Sequence, residues 1–537
     1  MKLEPDPDQT VAAKNYSIVW KCLAALIILQ AVYAAGFIAN TTITIEGQRY
    51  FCLFDDAMIS MRYADNWAHG NGLVWNVGER VEGFTNPAWT IIMGLVHFIN
   101  LSPSHTCLAV QIIGVFICWL SLVSVVILAK NCDLSPSTAI CALCINATFY
   151  VFLFFTLFGM ETGLLTCLVT FALASAVKCL NNCKASIVPM LWFSAAFLVR
   201  MDVLPTALFV AALIFIYTRQ NRLHILIGLT ILAVTVVSLF LLRHSYYGHW
   251  LPNTYYLKAT NWPIKERILS GIRYGRWTFT MFIVPAIFAF IALLKFNKHH
   301  ILLIGPMAIL CAYQTYVGGD AWPLNRLVIP ACPAFFVLAA DGIHLTGMKI
   351  KEIIPAIPKI ISPAILTTLC ILALNYIHWD HWLLMSRPQT TEDNEYNLLI
   401  TRAIQKISKP QATILVGYAG TITYFTQQKC FDLLGKCDEY IARTKALPGI
   451  TRSGHNKYDI AYSIQTYKPD IIPHTFINPP PSYIGLNYSP GHVQVDDWEV
   501  PVLVRKFSDN VTPPESISWV QYPKEFTEFR LAVLSRQ

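Results

Sequence analysis

Apolar residues in this chain come in long blocks instead of alternating with polar ones. Runs of roughly 17 to 24 apolar residues are long enough to cross about 30 Å of hydrocarbon. They predict helical spans near residues 18–39, 106–129, 137–157, 161–178, 185–199, 203–218, 223–243, 277–294, 300–317, 328–346 and 360–379. A twelfth apolar stretch, "PAWTIIMGLVHFI" at residues 87–99, has the length of a re-entrant or interfacial helix. From about Asp380 the pattern changes. "ATILVGYAG" reads as a strand entering a glycine turn, and "KPDIIPHTFINPPPSYIG" as a strand followed by a proline-rich loop. The chain therefore divides into a polytopic part, 1–379, and a smaller α/β domain, 380–537.

Composition agrees with the membrane reading. Of 537 residues, 55% are hydrophobic and only 13% charged, with a mean hydropathy of +0.47. The net charge of +8 is carried by loop lysines and arginines. These are densest in the short turns 130–136, 178–184, 219–222, 295–300 and 347–359, which places those turns in the cytoplasm if 87–99 does not cross. No basic run with interleaved aromatics suggests nucleic-acid binding. Most of the 15 cysteines lie inside apolar spans, where they act as small hydrophobes. Cys430 and Cys437 lie in the polar region, where a disulfide is one option and free thiols the other.

With that orientation the polar, irregular loops share one face, away from the cytoplasm. The first, "DDAMISMRYADNWAHGNG", predicts a short helix with an aspartate at its N-cap and glycines ending it. Asp55, Arg62, Asn66 and His69 share one stripe and Ala57, Met61, Ala64 and Ala68 the other, so the helix is expected to lie on the membrane surface. Two readings fit the aspartates: they cap and solvate the helix, or one is a general base whose pKa is shifted by nearby lipid.

The segment "DDAMISMRYADNWAHGNGLVWNVGERVEGFTNPAW" resembles the first extracytoplasmic loop of GT-C-type glycosyltransferases. More narrowly, it is similar to the group holding LphB-type lipopolysaccharide biosynthesis proteins and the terminal β-(1→2) arabinofuranosyltransferases. The resemblance continues in order through "FGMETGLL", "VRMDVLP", "GHWLPNTYYLKA", "GGDAWPLNRLVIP", "YAGTITYFTQQKCFDLLGKCDEYIAR" and "GHNKYDIAYSIQTYKPDII". It implies a fold of about 11 transmembrane helices plus interfacial helices and a C-terminal α/β extracytoplasmic domain. It also implies an inverting sugar transfer from a polyprenyl-phosphate donor to a hydroxyl of an envelope glycan or lipopolysaccharide. The enzyme would be multi-pass in a bacterial inner membrane, with its site and C-terminal domain facing the periplasm. No cofactor is implied with certainty, and a divalent metal is compatible.

Under that resemblance Asp55 is the first candidate for the base and Asp56 the second. Lys258, Arg326 and Arg62 are candidates for the donor phosphate, with interfacial anchoring as the other role of the first two. Glu161, Asp202 and Asp320 sit at outer ends of spans and either meet substrate or pair with Arg200 and Arg326. Asn253 and Tyr255 could bind sugar hydroxyls, and Glu82 could touch substrate or order its loop. Trp250 and Trp322 either stack on a sugar or mark the interfacial belt. A lipid-linked sugar flippase would instead need ionisable residues at mid-span, and these spans are nearly free of them. A non-catalytic envelope-assembly protein would not need this set of charged residues together.

Overall fold

A computed structural model describes residues 7–322, 324–355, 361–450, 452–473, 487–512 and 517–519. All eleven predicted spans are helical. Among the described residues seven helices are long and apolar enough to cross a membrane alone, including Pro103–Asn131, Arg222–Tyr247 and Ile264–Leu294. An eighth is a pair, Pro136–Thr148 and Tyr150–Leu157, bent by 49°. A break inside a span exposes backbone groups that lipid cannot satisfy. Here buried Asn375 supplies the partners: its Oδ1 accepts from the Tyr150 N–H at 2.9 Å and its Nδ2 donates to the Thr148 carbonyl at 3.1 Å. The helices Val188–Val199 and Leu204–Tyr217 are shorter, and Lys298–Tyr316 opens on Lys-His-His. Small residues set the closest approach between spans. A Cβ at Gly342 would lie on the Phe288 carbonyl oxygen of the neighbouring helix.

The helix Pro87–His97 has 11 residues, a rise of about 16 Å, half the hydrocarbon thickness. Its Trp89 Nε1 donates to the Gly159 carbonyl at 2.8 Å, tying it to the end of a span.

The C-terminal region begins with the helix Gln389–Ile407 and builds, among the described residues, a six-stranded sheet. Its strands are β1 (Thr413–Val416), β2 (Lys429–Asp432), β3 (Ile471–Pro473), β4 (Tyr488–Val495), β5 (Trp498–Arg505) and β6 (Ser518–Trp519), in the spatial order β2-β1-β3-β5-β4-β6. β1 pairs in parallel with both β2 and β3, and the remaining pairings are antiparallel. One side of the sheet packs Leu415, Phe431, Ile472 and Leu503 on Ile460 and Ile464 of the helix Ile460–Tyr467. The predicted strands thus form at "ATILV" and "DIIP". The proline-rich loop of 474–486 lies outside the described residues.

The first loop helix, Asp55–Ala68, is not a surface helix. Ten of its 14 residues are buried, because it is wedged between the spans and the C-terminal region. Most of its polar stripe, which amphipathicity alone assigns to water, faces protein. Asp55, Arg62 and Asn66 are buried, Arg62 donates to the Trp75 carbonyl at 3.1 Å and bonds Gln427, and His69 at the end of the stripe is exposed. The N-cap is Phe54, so both aspartates lie inside the first turn, where the helix dipole favours carboxylates.

Candidate functional site

Two glycine-containing turns bring the site together. In "YAGT", Gly420 allows the short helix Thr421–Thr426 to seat against the first loop helix, and the Thr421 N–H donates to Asp55 Oδ1 at 2.9 Å. Asn394 completes the contact by donating to the Leu53 carbonyl at 2.9 Å. In "DLLGKCD", the turn after β2 passes through Gly435 at φ 75° and presents Lys436. Asp432 holds this turn by accepting from the N–H groups of Leu434 (2.9 Å) and Cys437 (2.7 Å). Asn253 Nδ2 holds it from the other side, donating to the carbonyls of Gly435, Lys436 and Asp438 at 3.0, 3.1 and 3.0 Å.

Lys436 Nζ then reaches Asp56 Oδ1 at 2.8 Å, while Arg326 Nη1 donates to Asp56 Oδ2 at 2.7 Å. Arg326 also donates through Nη2 to Asp320 Oδ1 at 3.0 Å. Burial opposes the ionisation of Asp56, but Lys436 and Arg326 outweigh it and hold the carboxyl well below the usual range. Asp55 behaves oppositely. Burial raises it against the pull of Lys436 and the Thr421 N–H, and its Oδ2 has no hydrogen-bond partner. The two neighbours on one helix turn therefore differ in environment: one faces cations, the other the docking surface.

Asp56, Lys436 and Arg326 line a cavity of about 190 Å³ at the junction of spans, loops and C-terminal region. Lys258 lines it too, and its ammonium makes no ion pair among the described residues. Burial lowers the Lys258 pKa, opposed by Asp320. The far wall carries a second cluster. Arg200 bridges Glu161 (3.1 Å) and Asp202 (2.5 Å), and Glu161 Oε2 accepts from Asn86 Nδ2 at 2.9 Å. Tyr255, 40% exposed, completes the opening.

The residues singled out in the sequence are thus distributed. Asp56, Lys258, Arg326, Glu161, Asp202 and Tyr255 line the cavity, and Asp320 supports Arg326 from behind. Asp55, Arg62, Asn253 and Glu82 do not line it. Asn253 supports the Lys436 turn, and Glu82 pairs with Arg243 at 2.5 Å while its carbonyl accepts from the Asn253 N–H. Cys430 and Cys437 are buried free thiols, with Cys437 Sγ 3.8 Å from the Tyr63 hydroxyl. Among the described residues no group of three or more His, Cys, Asp and Glu is arranged to hold a metal ion.

The architecture can be placed among solved structures. It aligns with the crystal structure of ArnT from Cupriavidus metallidurans in the apo state at a TM-score of 0.56 and 11% identity, covering 89% of this chain and 98% of that one. The same protein bound to undecaprenyl phosphate gives 0.55 and 12%, covering 91% and 99%. The Archaeoglobus fulgidus oligosaccharyltransferase tethered to an acceptor peptide gives 0.50 and 10%, covering 96% and 77%. The chain has the GT-C fold. It is a multi-pass membrane protein of that class. Residues 386–516 match a family described as a domain of unknown function, DUF8728. Among curated proteins no sequence matches. Within this GT-C fold, Lys436 is the charged residue among those lining the cavity that the sequence pattern does not single out. Its signal was a solitary lysine after a strand and a glycine in the otherwise acidic and apolar "FDLLGKCDEY", a position that needs a carboxylate once buried.

Proposed function

We propose that this protein is an inverting glycosyltransferase that takes a sugar, a pentose such as arabinofuranose or a hexose, from a polyprenyl-phosphate donor. The acceptor is a hydroxyl of an envelope glycan or lipopolysaccharide, at the periplasmic face of a bacterial inner membrane. The observation that carries this reading is that Asp56 faces a cavity in a GT-C fold together with Lys258, Arg326 and Lys436, while the other lining carboxylates, Glu161 and Asp202, are taken up by Arg200 on the far wall. In the reaction the acceptor oxygen attacks the anomeric carbon from the side opposite the phosphate. A new C–O bond forms, the bond from C1 to the phosphate oxygen breaks, and the polyprenyl phosphate leaves with the electron pair. The acceptor proton passes to Asp56. Lys258, which has no ion pair among the described residues, receives the phosphate, and Arg326 and Lys436 move part of their charge onto it. That shift releases Asp56 from the cations that depress its basicity, so donor binding and base activation are coupled. Asp320 keeps Arg326 in place, and the Arg200 cluster is the candidate contact for sugar hydroxyls. The solved relative bound to undecaprenyl phosphate supports a lipid-phosphate ligand in this fold.

Mass spectrometry of envelope glycolipids from cells with and without the protein tests the reading. One sugar residue is expected to disappear in the null, and its mass assigns pentose or hexose. Unchanged glycans overturn it.

Lys258→Met is expected to raise the donor KM by about tenfold to a hundredfold, the scale of one lost charge-assisted hydrogen bond. Because burial lowers the Lys258 pKa, its ammonium is lost at lower pH than an ordinary lysine's. Wild-type donor affinity should therefore fall along an alkaline limb that the variant lacks. Steady-state kinetics across pH checks both.

A further inference from the structure

The 432–438 turn has two sides. One carries Lys436 into the cationic cavity. The other, through Asp432, Cys437 and Asp438, forms a wall of a second cavity of about 480 Å³. This size falls in the range of small-molecule sites, and its lining differs from that of the first. Tyr440 is half-exposed and stacks on Tyr462 with ring centroids 4.0 Å apart, while Tyr467 stacks on Phe431 at 4.2 Å. The tyrosine hydroxyls are chained: Tyr462 to Tyr467 at 2.9 Å, and Tyr467 to Asp438 Oδ2 at 2.5 Å. Glu439 lies at the rim with its side chain 39% exposed. The arrangement offers flat aromatic faces beside hydroxyl and carboxylate acceptors; the one cation among its lining residues, Arg443, is engaged by Glu439 and by the Asn253 side chain.

We propose that this groove docks an uncharged, hydroxyl-rich saccharide, the part of the acceptor that lies beyond the hydroxyl being modified. The proposal rests on the transferase reading above. Stacked tyrosines present apolar faces to the C–H side of a sugar ring, and carboxylates and phenols accept from its hydroxyls. Four carboxylates, Glu79, Asp432, Asp438 and Glu439, outnumber Arg443 along this groove and disfavour an anion, so the donor phosphate is directed to Lys258, Arg326 and Lys436. A single turn, clamped by Asn253, would then register acceptor against donor. Its own residues pair with Asp56 on one side and line the saccharide groove on the other.

The test uses the full chain in detergent, with the saccharide released from the envelope glycolipid of cells lacking the protein as the probe. Calorimetry without donor is expected to show binding to wild type. Tyr440→Ala should weaken it about threefold to tenfold, the scale of one aromatic contact, and raise the acceptor KM with kcat unchanged. Tyr440→Phe keeps the ring and should retain binding. Asp56→Asn should bind the saccharide like wild type, which separates docking from catalysis. Equal affinity of Tyr440→Ala and wild type overturns the groove, as does absence of binding to wild type. The transferase reading fails separately, through unchanged glycolipids in the null, whatever the calorimetry shows.

Discussion

Asp56→Asn is expected to lower kcat by about 10²–10⁴-fold, the usual contribution of a positioned general base, without raising the donor KM. Asp55→Asn should stay within about tenfold of wild type, since its carboxylate does not line the cavity. The contrast follows from geometry. Asp56 is held at 2.7 and 2.8 Å by Arg326 and Lys436 and faces the cavity. Asp55 accepts from Thr421, and burial raises its pKa, so the amide replaces a group that already resists ionisation. For Asn at 56 the donor site loses an anion that competes for its cations, so donor binding does not suffer while proton acceptance is lost. The acid limb gives a second check. Because the Asp56 pKa is depressed in the folded protein, its pairing contributes stability above the unfolded aspartate pKa. That contribution is lost as pH falls through the folded value. Asp56→Asn should flatten this acid dependence. Purified protein assayed with a polyprenyl-phosphate sugar, together with thermal unfolding across pH, reads both effects. Equal loss of kcat in the two variants would return Asp55 to the role of base.

Span positions were legible because lipid imposes a one-dimensional rule that hydropathy reads directly. The short helix Pro87–His97 was legible for the same reason, by its length. The surface placement of Asp55–Ala68 failed because amphipathicity shows which face is polar and not what covers it. Arg62 turned out to be satisfied by Gln427 and by a carbonyl, over 300 residues away in the first case. Carboxylates at span ends were the productive signal in the chemistry. Glu161 and Asp202 do meet Arg200, and Asp320 meets Arg326, as the pairing alternative required. Which of two adjacent aspartates faces the cavity was beyond the sequence. It depends on the rotation of one helix turn, and that rotation is set by the docking of Thr421 from the other end of the chain.

Gly420→Ala is expected to destabilise the protein by about 2–3 kcal/mol, and activity should fall with stability even though no cavity residue is changed. Replacing glycine by alanine normally stabilises by about 0.4–1 kcal/mol through the unfolded chain, so the sign is diagnostic. At Gly420, φ is −96°, an angle any residue adopts, and the objection is space. A Cβ there would overlap the Asp55 backbone oxygen and sit 2.8 Å from its Oδ1. Neither atom is the free end of a flexible side chain. The oxygen belongs to the first turn of the helix that carries Asp56, so relief requires the helix and the Thr421–Thr426 segment to part. Parting them breaks the Thr421 N–H to Asp55 bond and shifts Asp56 relative to Lys436, and displacements of about 1 Å at a reacting group cost on the order of a hundredfold in rate. Gly275 supplies the internal control. It lies within the helix Ile264–Leu294 with nothing within 4 Å of its would-be Cβ. There the same substitution should stabilise by about 0.8–1 kcal/mol, the helix-propensity difference. Unfolding of both variants in detergent, read beside wild type, gives opposite shifts if the docking of Gly420 on Asp55 holds the site together. Shifts of the same sign would mean that the C-terminal region is not seated on that helix turn, and that the position of Asp56 is set by the spans alone.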